Sequence, residues 1–414
     1  MRRQLAAYSP LTARALAGAA GSLLRRGDAD RLLANLLARH RAASGVLCAS
    51  GTQALQLAIS AARTLSGDPA APVALPAWTC YDVAAAAVGA DAAVSLYDVD
   101  PRTLTPDMDS LERVLAAGAR VVVAAWAYGH PPAWAELLAL AARHGAIVVE
   151  DAAQGHGAAW RGRPAGSFGA LSVLSFGRGK GWTGGRGGAL LVHTEGMEMG
   201  SEGMEMGMKM EMPSVPPGGA LAEMMNLAAS AAQWMLGRPS LYALPSAIPG
   251  LALGETVYHP PRPPRALPRA AATLLRRTRA AAEREADARR RNARALLAAL
   301  GDVPGIHPIR PVDGADPGFL RLPLLLDAPL PSDAARLGIA RGYPLPLAAL
   351  PALKPRLTGP ERRFPGAETL ASHLVTLPTH SLLTPADLGA ITALVRGAVP
   401  PVSPASPRLS LSRT

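Results

Sequence analysis

Cysteine is nearly missing from this chain: Cys48 and Cys80 are the only two in 414 residues, each within an apolar stretch. Two such thiols read as buried and free, which excludes the disulfide framework of a small secreted domain and points to a reducing compartment. Long uncharged apolar runs are also missing. No stretch reaches the roughly 18 residues a spanning helix needs. The nearest approach, 215–253, is interrupted by Glu223 and Arg238 and broken by Pro239, Pro245 and Pro249. The N-terminal MRRQLAAYSPLTARAL has no continuous apolar core or small-residue cleavage site, so it does not read as a secretion signal. A cytoplasmic protein with no transmembrane segment is expected. Lysine and aromatic residues are scarce, while arginine drives a net charge of +11. Such a charge would suit nucleic acid or an anionic surface. The basic stretch RRTRAAAEREADARRRNAR (276–294) is interleaved with Glu and Asp, however, and reads as a solvated helix face. With no helix-turn-helix pattern and no aromatic-interleaved basic patch, nucleic acid is not an expected partner.

What is present is 49% apolar residues, enough for a sizeable core, in a length that allows two or three domains. Residues 1–44 read as helical. From 46 to 195, short apolar runs alternate with Ala-rich helical stretches. Seven strands are predicted: 46–49, 72–77, 92–99, 120–127, 146–150, 171–176 and 188–193. Apolar strands alternating with helices predict a buried, mainly parallel sheet, with ligands at the carboxyl ends of its strands. The Met-rich repeat GMEMGSEGMEMGMKMEM (196–212) offers little to pack and reads as a surface loop. Beyond it come a helical piece at 220–236, a long Arg-rich helix at 269–300, a strand at 319–326, a helix at 332–340, a Pro-rich loop through 365 and a helix at 385–397. The expected division is an N-terminal helical segment (1–45), a large domain (46–250), a small C-terminal α/β domain (251–400) and a disordered tail (401–414).

Residues 147–189 carry the chemistry. The apolar run Ile147–Val149 ends in Glu150 and Asp151; a second run ends at Ser175, and Lys180 follows in a glycine-rich loop. An acid for a ring nitrogen, a hydroxyl for a phosphate and an amine for an aldehyde are what pyridoxal 5′-phosphate (PLP) requires. A Walker phosphate loop is excluded, because Gly181 follows the lysine where Ser or Thr is needed. Gly51, Thr52 and Gln53 open a helix whose N-terminus can bind an anion, although Ser50 or Thr52 acting as an ordinary N-cap explains the same pattern. Asp151 alone could equally be a helix cap, and Lys180 alone an exposed loop lysine.

The words EDAAQGHG (150–157) and SFGRGKGWTGGRGG (175–188) resemble the sugar aminotransferases of the DegT/StrS type. SGTQALQLAI (50–59), PAWTCYDVAAAAV (76–88) and LPTHSLLTPADL (377–388) extend the resemblance over roughly 45–195 and 255–395. It implies a type I PLP-dependent transferase fold: a large domain with a mainly parallel seven-stranded sheet, and a smaller C-terminal α/β domain. It implies Lys180 as the amine that holds the cofactor and moves protons, Asp151 at the ring nitrogen and Gln154 near the phenolic oxygen. Gly51, Thr52 and Ser175 would hold the phosphate. An aromatic from the 76–88 turn would stack on the ring, with Trp78 and Tyr81 available and Trp78 equally explained by core packing. His156 reads as either a substrate-side group or a core histidine.

The implied function is transfer of an amino group from an amino acid, with glutamate expected, to a keto-sugar nucleotide, by a homodimer. A PLP-dependent dehydratase or lyase is the nearest alternative, although family members that dehydrate sugars carry histidine in place of the lysine. A non-catalytic regulatory protein of the same fold is the other. The chain departs from the pattern twice: Arg186 stands in a slot that is usually acidic, and LALGETVYHPPRPP (251–264) replaces a word that reaches across the dimer.

Overall fold

The computed structural model describes residues 3–21, 27–194, 214–243, 256–360 and 362–399. The Met-rich insert, residues 251–255 of the divergent word and the tail from 401 lie outside them. The first 44 residues are not helical throughout. Residues 3–12 form no helix, and α1 (Ala13–Gly21) and α2 (Asp28–His40) follow. Pro10 constrains Ser9 away from helical geometry. The segment also has another use: Gln4, Leu5, Ser9 and Leu11 are all buried against the body of the protein.

Strands and helices then alternate as expected: β1 (Ser44–Cys48), α3 (Gly51–Leu65), β2 (Val73–Pro76), α4 (Tyr81–Gly89), β3 (Val94–Tyr97), α5 (Met108–Ala116), β4 (Val121–Ala125), α6 (Trp134–Arg143) and β5 (Ile147–Asp151). The short strands β6 (Ala159–Trp160) and β7 (Arg163–Pro164) precede β8 (Leu171–Ser175), β9 (Gly188–Val192) and α7 (Gly219–Leu236). The remainder comprises α8 (Arg269–Leu300), β10 (Ile306–Pro308), β11 (Ala315–Asp316), β12 (Leu322–Leu326), β13 (Ala340–Arg341), β14 (Leu357–Thr358), α9 (Pro365–His373), β15 (Leu374–Leu377) and α10 (Pro385–Ala398).

The main sheet has eight strands rather than seven, in the order β1-β9-β8-β5-β4-β2-β3-β14. It is parallel except at β9, which runs antiparallel to both β1 and β8. The added strand is β14, two residues from the Pro-rich stretch, pairing in parallel with β3 through Leu357–Val94 and Thr358–Ser95. Its length is too short for an alternation pattern to register. The helix expected at 332–340 is a single 3-10 turn, Ala334–Leu337, closed by Gly338 at φ +76° and followed by β13.

β2, β3 and β5 are buried along their whole length, and α-helices cover both faces of the sheet with two large apolar clusters. A four-stranded antiparallel sheet, β10-β12-β15-β13, packs with α8 and α10 around a third cluster centred on Leu296, Leu324 and Ile391. Local chemistry sets the helix starts that matter. Ser50 accepts from Gln53 N (3.2 Å) to begin α3, and Thr384 with Asp387 forms a reciprocal capping box on α10.

Candidate active site

A cleft enclosing about 530 Å³, counted to its open mouth, lies at the carboxyl ends of β2, β4, β5 and β8. Parallel α/β sheets bind ligands at this edge. Gly51, Thr52, Thr79, Cys80, Asp151, Gln154, Ser175, Lys180 and Tyr343 are among its walls. Five separate segments of the chain therefore converge here.

Asp151 ends β5. Its Oδ1 accepts from Ala153 N at 3.0 Å. Burial pushes its pKa up; the Ala153 N–H and the Lys180 ammonium oppose that rise, and Asp82 adds to it. A buried carboxylate facing a cleft in this way is suited to a cationic ring nitrogen. Lys180 sits in the loop after β8, and its Nζ makes no hydrogen bond or ion pair with any described residue. The loop is tied internally: Thr183 Oγ1 donates to Phe176 O at 3.0 Å, and Gly185 N donates back to Thr183 Oγ1 at 2.9 Å. Gln154 is fixed at both ends, accepting from Tyr128 N at 2.8 Å and donating to Tyr343 Oη at 2.6 Å.

Ser175 and the start of α3 are in intimate contact. A Cβ added to Gly51 would fall 2.7 Å from Ser175 Cβ and Oγ, so only glycine lets the hydroxyl lie over the helix N-terminus. This cradle, the buried carboxylate and the unengaged amine are the parts that PLP needs, and they share one cleft. The residues present fit the cofactor.

Other expected groups stand elsewhere. Trp78 does not line the cleft. It is buried, and its Nε1 donates to Tyr343 O at 3.0 Å. Tyr81 points to the 345 loop, its Oη accepting from Leu345 N at 3.0 Å. The turn presents Thr79 and Cys80 to the cleft instead, because both aromatics are drawn into the core around Tyr343. Burial raises the Cys80 thiol to about 12, so it stays protonated; Cys48 is likewise free. His156 lines a separate cavity beside Trp182, and burial together with Arg289 holds its pKa well below 6.5. It lies outside the cleft walls.

Three contributors were not apparent in the sequence. Tyr343, between β13 and β14, closes one side of the cleft. Ser9 accepts from Gly181 N at 2.9 Å, across 172 positions. Arg321 lines a wider cavity of about 2630 Å³, likewise counted to its open mouth, that also reaches Lys180. Its Nη2 donates to Thr376 O at 3.1 Å, while its buried Nε has no partner. Arg178, Arg238 and Arg341 join it in that wall, and no Asp or Glu does so among the described residues.

A strand-end cleft on a mostly parallel sheet, with an amine, a buried acid and a helix-terminal cradle, is the arrangement of a type I PLP fold. A model of the DegT/DnrJ/EryC1/StrS aminotransferase family matches residues 13–230, just over half of the chain, and the chain belongs to that family. PLP is its cofactor. The chain is 36% identical over 153 residues to an L-glutamine:2-deoxy-scyllo-inosose aminotransferase of Streptomyces kanamyceticus (37% of this chain, 35% of the relative). It is 36% identical over 134 residues to a UDP-N-acetyl-3-dehydro-alpha-D-glucosamine 3-aminotransferase of Acidithiobacillus ferrooxidans (32% and 36%). The matched segment thus spans about a third of each curated relative. The fold extends further. Spr1654 of Streptococcus pneumoniae, in its PLP-form, superposes with a TM-score of 0.71 at 16% identity, covering 96% of this chain and 98% of that one. Among the described residues no helix is long and apolar enough to cross a membrane.

Proposed function

We propose that this protein is an aminotransferase that moves an amino group from an amino acid to a keto-sugar nucleotide. The observation that carries the reading is the convergence of Lys180, Asp151 and the Ser175–α3 cradle on one cleft. When bound, PLP supplies an aldehyde that condenses with amines and a ring that accepts the electron pair left by a departing proton. Asp151 would keep the ring nitrogen protonated. Ser175 and the N-terminus of α3 would hold the phosphate. Gln154, held by Tyr128 and Tyr343, would donate to the phenolic oxygen. Lys180 Nζ takes the proton from the donor's Cα, and in the return half it delivers one to the acceptor carbon that carried the keto oxygen.

The arginine-lined cavity beside Lys180 supports an acceptor bearing a diphosphate, as in the UDP-sugar relative, over the uncharged cyclitol named for the inosose relatives. A homodimer is part of the proposal. α7 turns Leu221, Met224, Met225 and Met235 outward at 54–70% exposure while burying Asn226 and Ser230, and its inner side walls the same cavity. A second copy covering α7 would complete that wall.

The test is spectral and chemical. Purified protein with PLP should gain a visible absorption band that Lys180→Ala abolishes. With glutamate or glutamine as donor, it should aminate a UDP-linked keto-sugar in preference to a keto-cyclitol. A band that survives Lys180→Ala ends the assignment of that lysine; preference for the cyclitol ends the nucleotide reading.

A further inference from the structure

We propose that Arg289 is a positioning residue: a buried guanidinium on α8 that braces the loop carrying Lys180 against the loop that follows Asp151. The inference rests on the reading of Lys180 and Asp151 as the reactive pair.

Arg289 is 1% exposed. Its Nη2 donates to His156 O at 2.5 Å, on the loop five residues beyond Asp151. On the other side it occupies the space above the residue after the lysine. A Cβ on Gly181 would fall 2.2 Å from Arg289 Nη1, and one on Gly157 would fall 3.1 Å from Nη2. Both glycines have positive φ, +80° and +83°. One planar group is therefore packed between the two loops, touching backbone on each. Gly181 is also held by Ser9, which accepts from its N–H at 2.9 Å.

The electrostatics are unusual for a group that only fills space. Arg289 Nε and Nη1 are buried without hydrogen-bond partners. No carboxylate lies within ion-pairing distance among the described residues. Glu285, one turn earlier, attracts the charge, but its oxygens are engaged by Ser381 N and Oγ. Burial of the guanidinium lowers its pKa to about 10, which leaves it charged at neutral pH. A methionine of similar reach would fill the space without desolvating a charge. What it could not do is hold the 156 carbonyl while resting on Gly181. The same face of α8 meets the 381 loop through Glu285, so the brace connects the reactive pair to the small domain.

Errors of about 1 Å in the placement of a reacting amine cost about 10²-fold in rate. Arg289→Met should therefore lower kcat by about that factor, with KM for the donor and the dissociation constant for PLP changed less than about threefold, and Arg289→Lys should recover part of the loss. Hydrogen exchange of the full-length protein without cofactor gives a readout independent of turnover. Amides at 152–157 and 177–185 should exchange faster in Arg289→Met, while β5 and β8 keep their protection. Gly181→Ala supplies a second route. At φ +80° alanine is strained in any background, so the difference is the readout: the substitution should cost clearly less in the Arg289→Ala background, where the clash with the guanidinium is gone.

Unchanged exchange in both loops, or additive effects of the Gly181 and Arg289 substitutions, would overturn the proposal. So would an Arg289→Met enzyme with wild-type kcat. If Lys180→Ala keeps the visible band, the underlying reading fails whatever Arg289 does, so the two failures are separable. Should Arg289→Met not fold, the Gly181→Ala comparison in the Arg289→Lys background decides: Lys lacks the planar group, so a persistent clash of equal size refutes the brace.

Discussion

Gly51 shows how much of the cleft depends on one missing side chain. Its Cα abuts Ser175, and an added methyl would need 2.7 Å where van der Waals contact needs more than 3.4 Å. Gly51→Ala is expected to displace the hydroxyl from the α3 terminus and weaken PLP binding about tenfold, the equivalent of about 1–2 kcal/mol of overpacking. A spectral titration measures this. Gly177→Ala is the control, since its nearest neighbours, Ser175 Oγ and Lys180 Cγ, lie at 3.7 and 3.8 Å; its affinity should stay within about twofold of wild type. At this scale the sequence was readable where the groups stand close together along the chain. Asp151, Gln154, Ser175 and Lys180 fall within 30 positions, and all line the cleft. It did not show that Trp78 and Tyr81 stand away from the cleft walls, because the pull of the Tyr343 aromatic cluster on both rings cannot be read from a local turn. Ser9, Arg289 and Arg321 were hidden for a related reason: Ser9 and Arg289 meet the site through bonds spanning 172 and 133 positions, and Arg321 shares a cavity wall with Lys180, far from it in sequence.

Among the elements, α7 carries Leu221, Met224, Met225 and Met235 exposed, although it packs Leu227 and Trp234 inward. It sends Asn226 Nδ2 to Gly184 O at 3.2 Å on the lysine loop and buries Ser230. A helix that leaves this much apolar surface open needs something to cover it. The double substitution Met224→Glu and Met225→Glu is expected to shift a dimer toward monomer in light scattering or sedimentation, while leaving the far-ultraviolet circular dichroism unchanged. An unaltered dimer would place the interface elsewhere. The seven apolar strands of the main sheet were each legible because a strand covered on both faces is written as a continuous apolar run. β14 was not, being two residues beside a proline-rich loop that find a partner only because β3 presents a free edge. The 332–340 stretch contained helix-forming residues, but Gly338 ends the turn before a second can form.

Across the whole molecule, several histidines are buried in neutral form. Desolvation lowers His40 to about 3 and His130 and His380 to about 4. In the unfolded chain each titrates near 6.5. Below that pH the unfolded state takes up protons that the folded state refuses. Their contribution to stability is therefore full above about 6.5 and is lost progressively as pH falls toward the folded values. The melting temperature is expected to drop by several degrees between about pH 7 and about pH 5, as calorimetry would record. His380→Gln should flatten that slope, because glutamine can still donate to Leu5 O while no longer titrating. A slope unchanged by the substitution would assign the acid sensitivity to other groups.

The bond from His380 Nε2 to Leu5 O, 2.9 Å long, joins positions 375 apart. Closing so large a ring is entropically among the costliest contacts the chain makes, and the segment it anchors also bears Ser9, the support under the lysine loop. Leu5 leaves the ribosome 375 residues ahead of His380. The segment that steadies the reactive lysine thus has nothing to settle upon until that much more chain has been made.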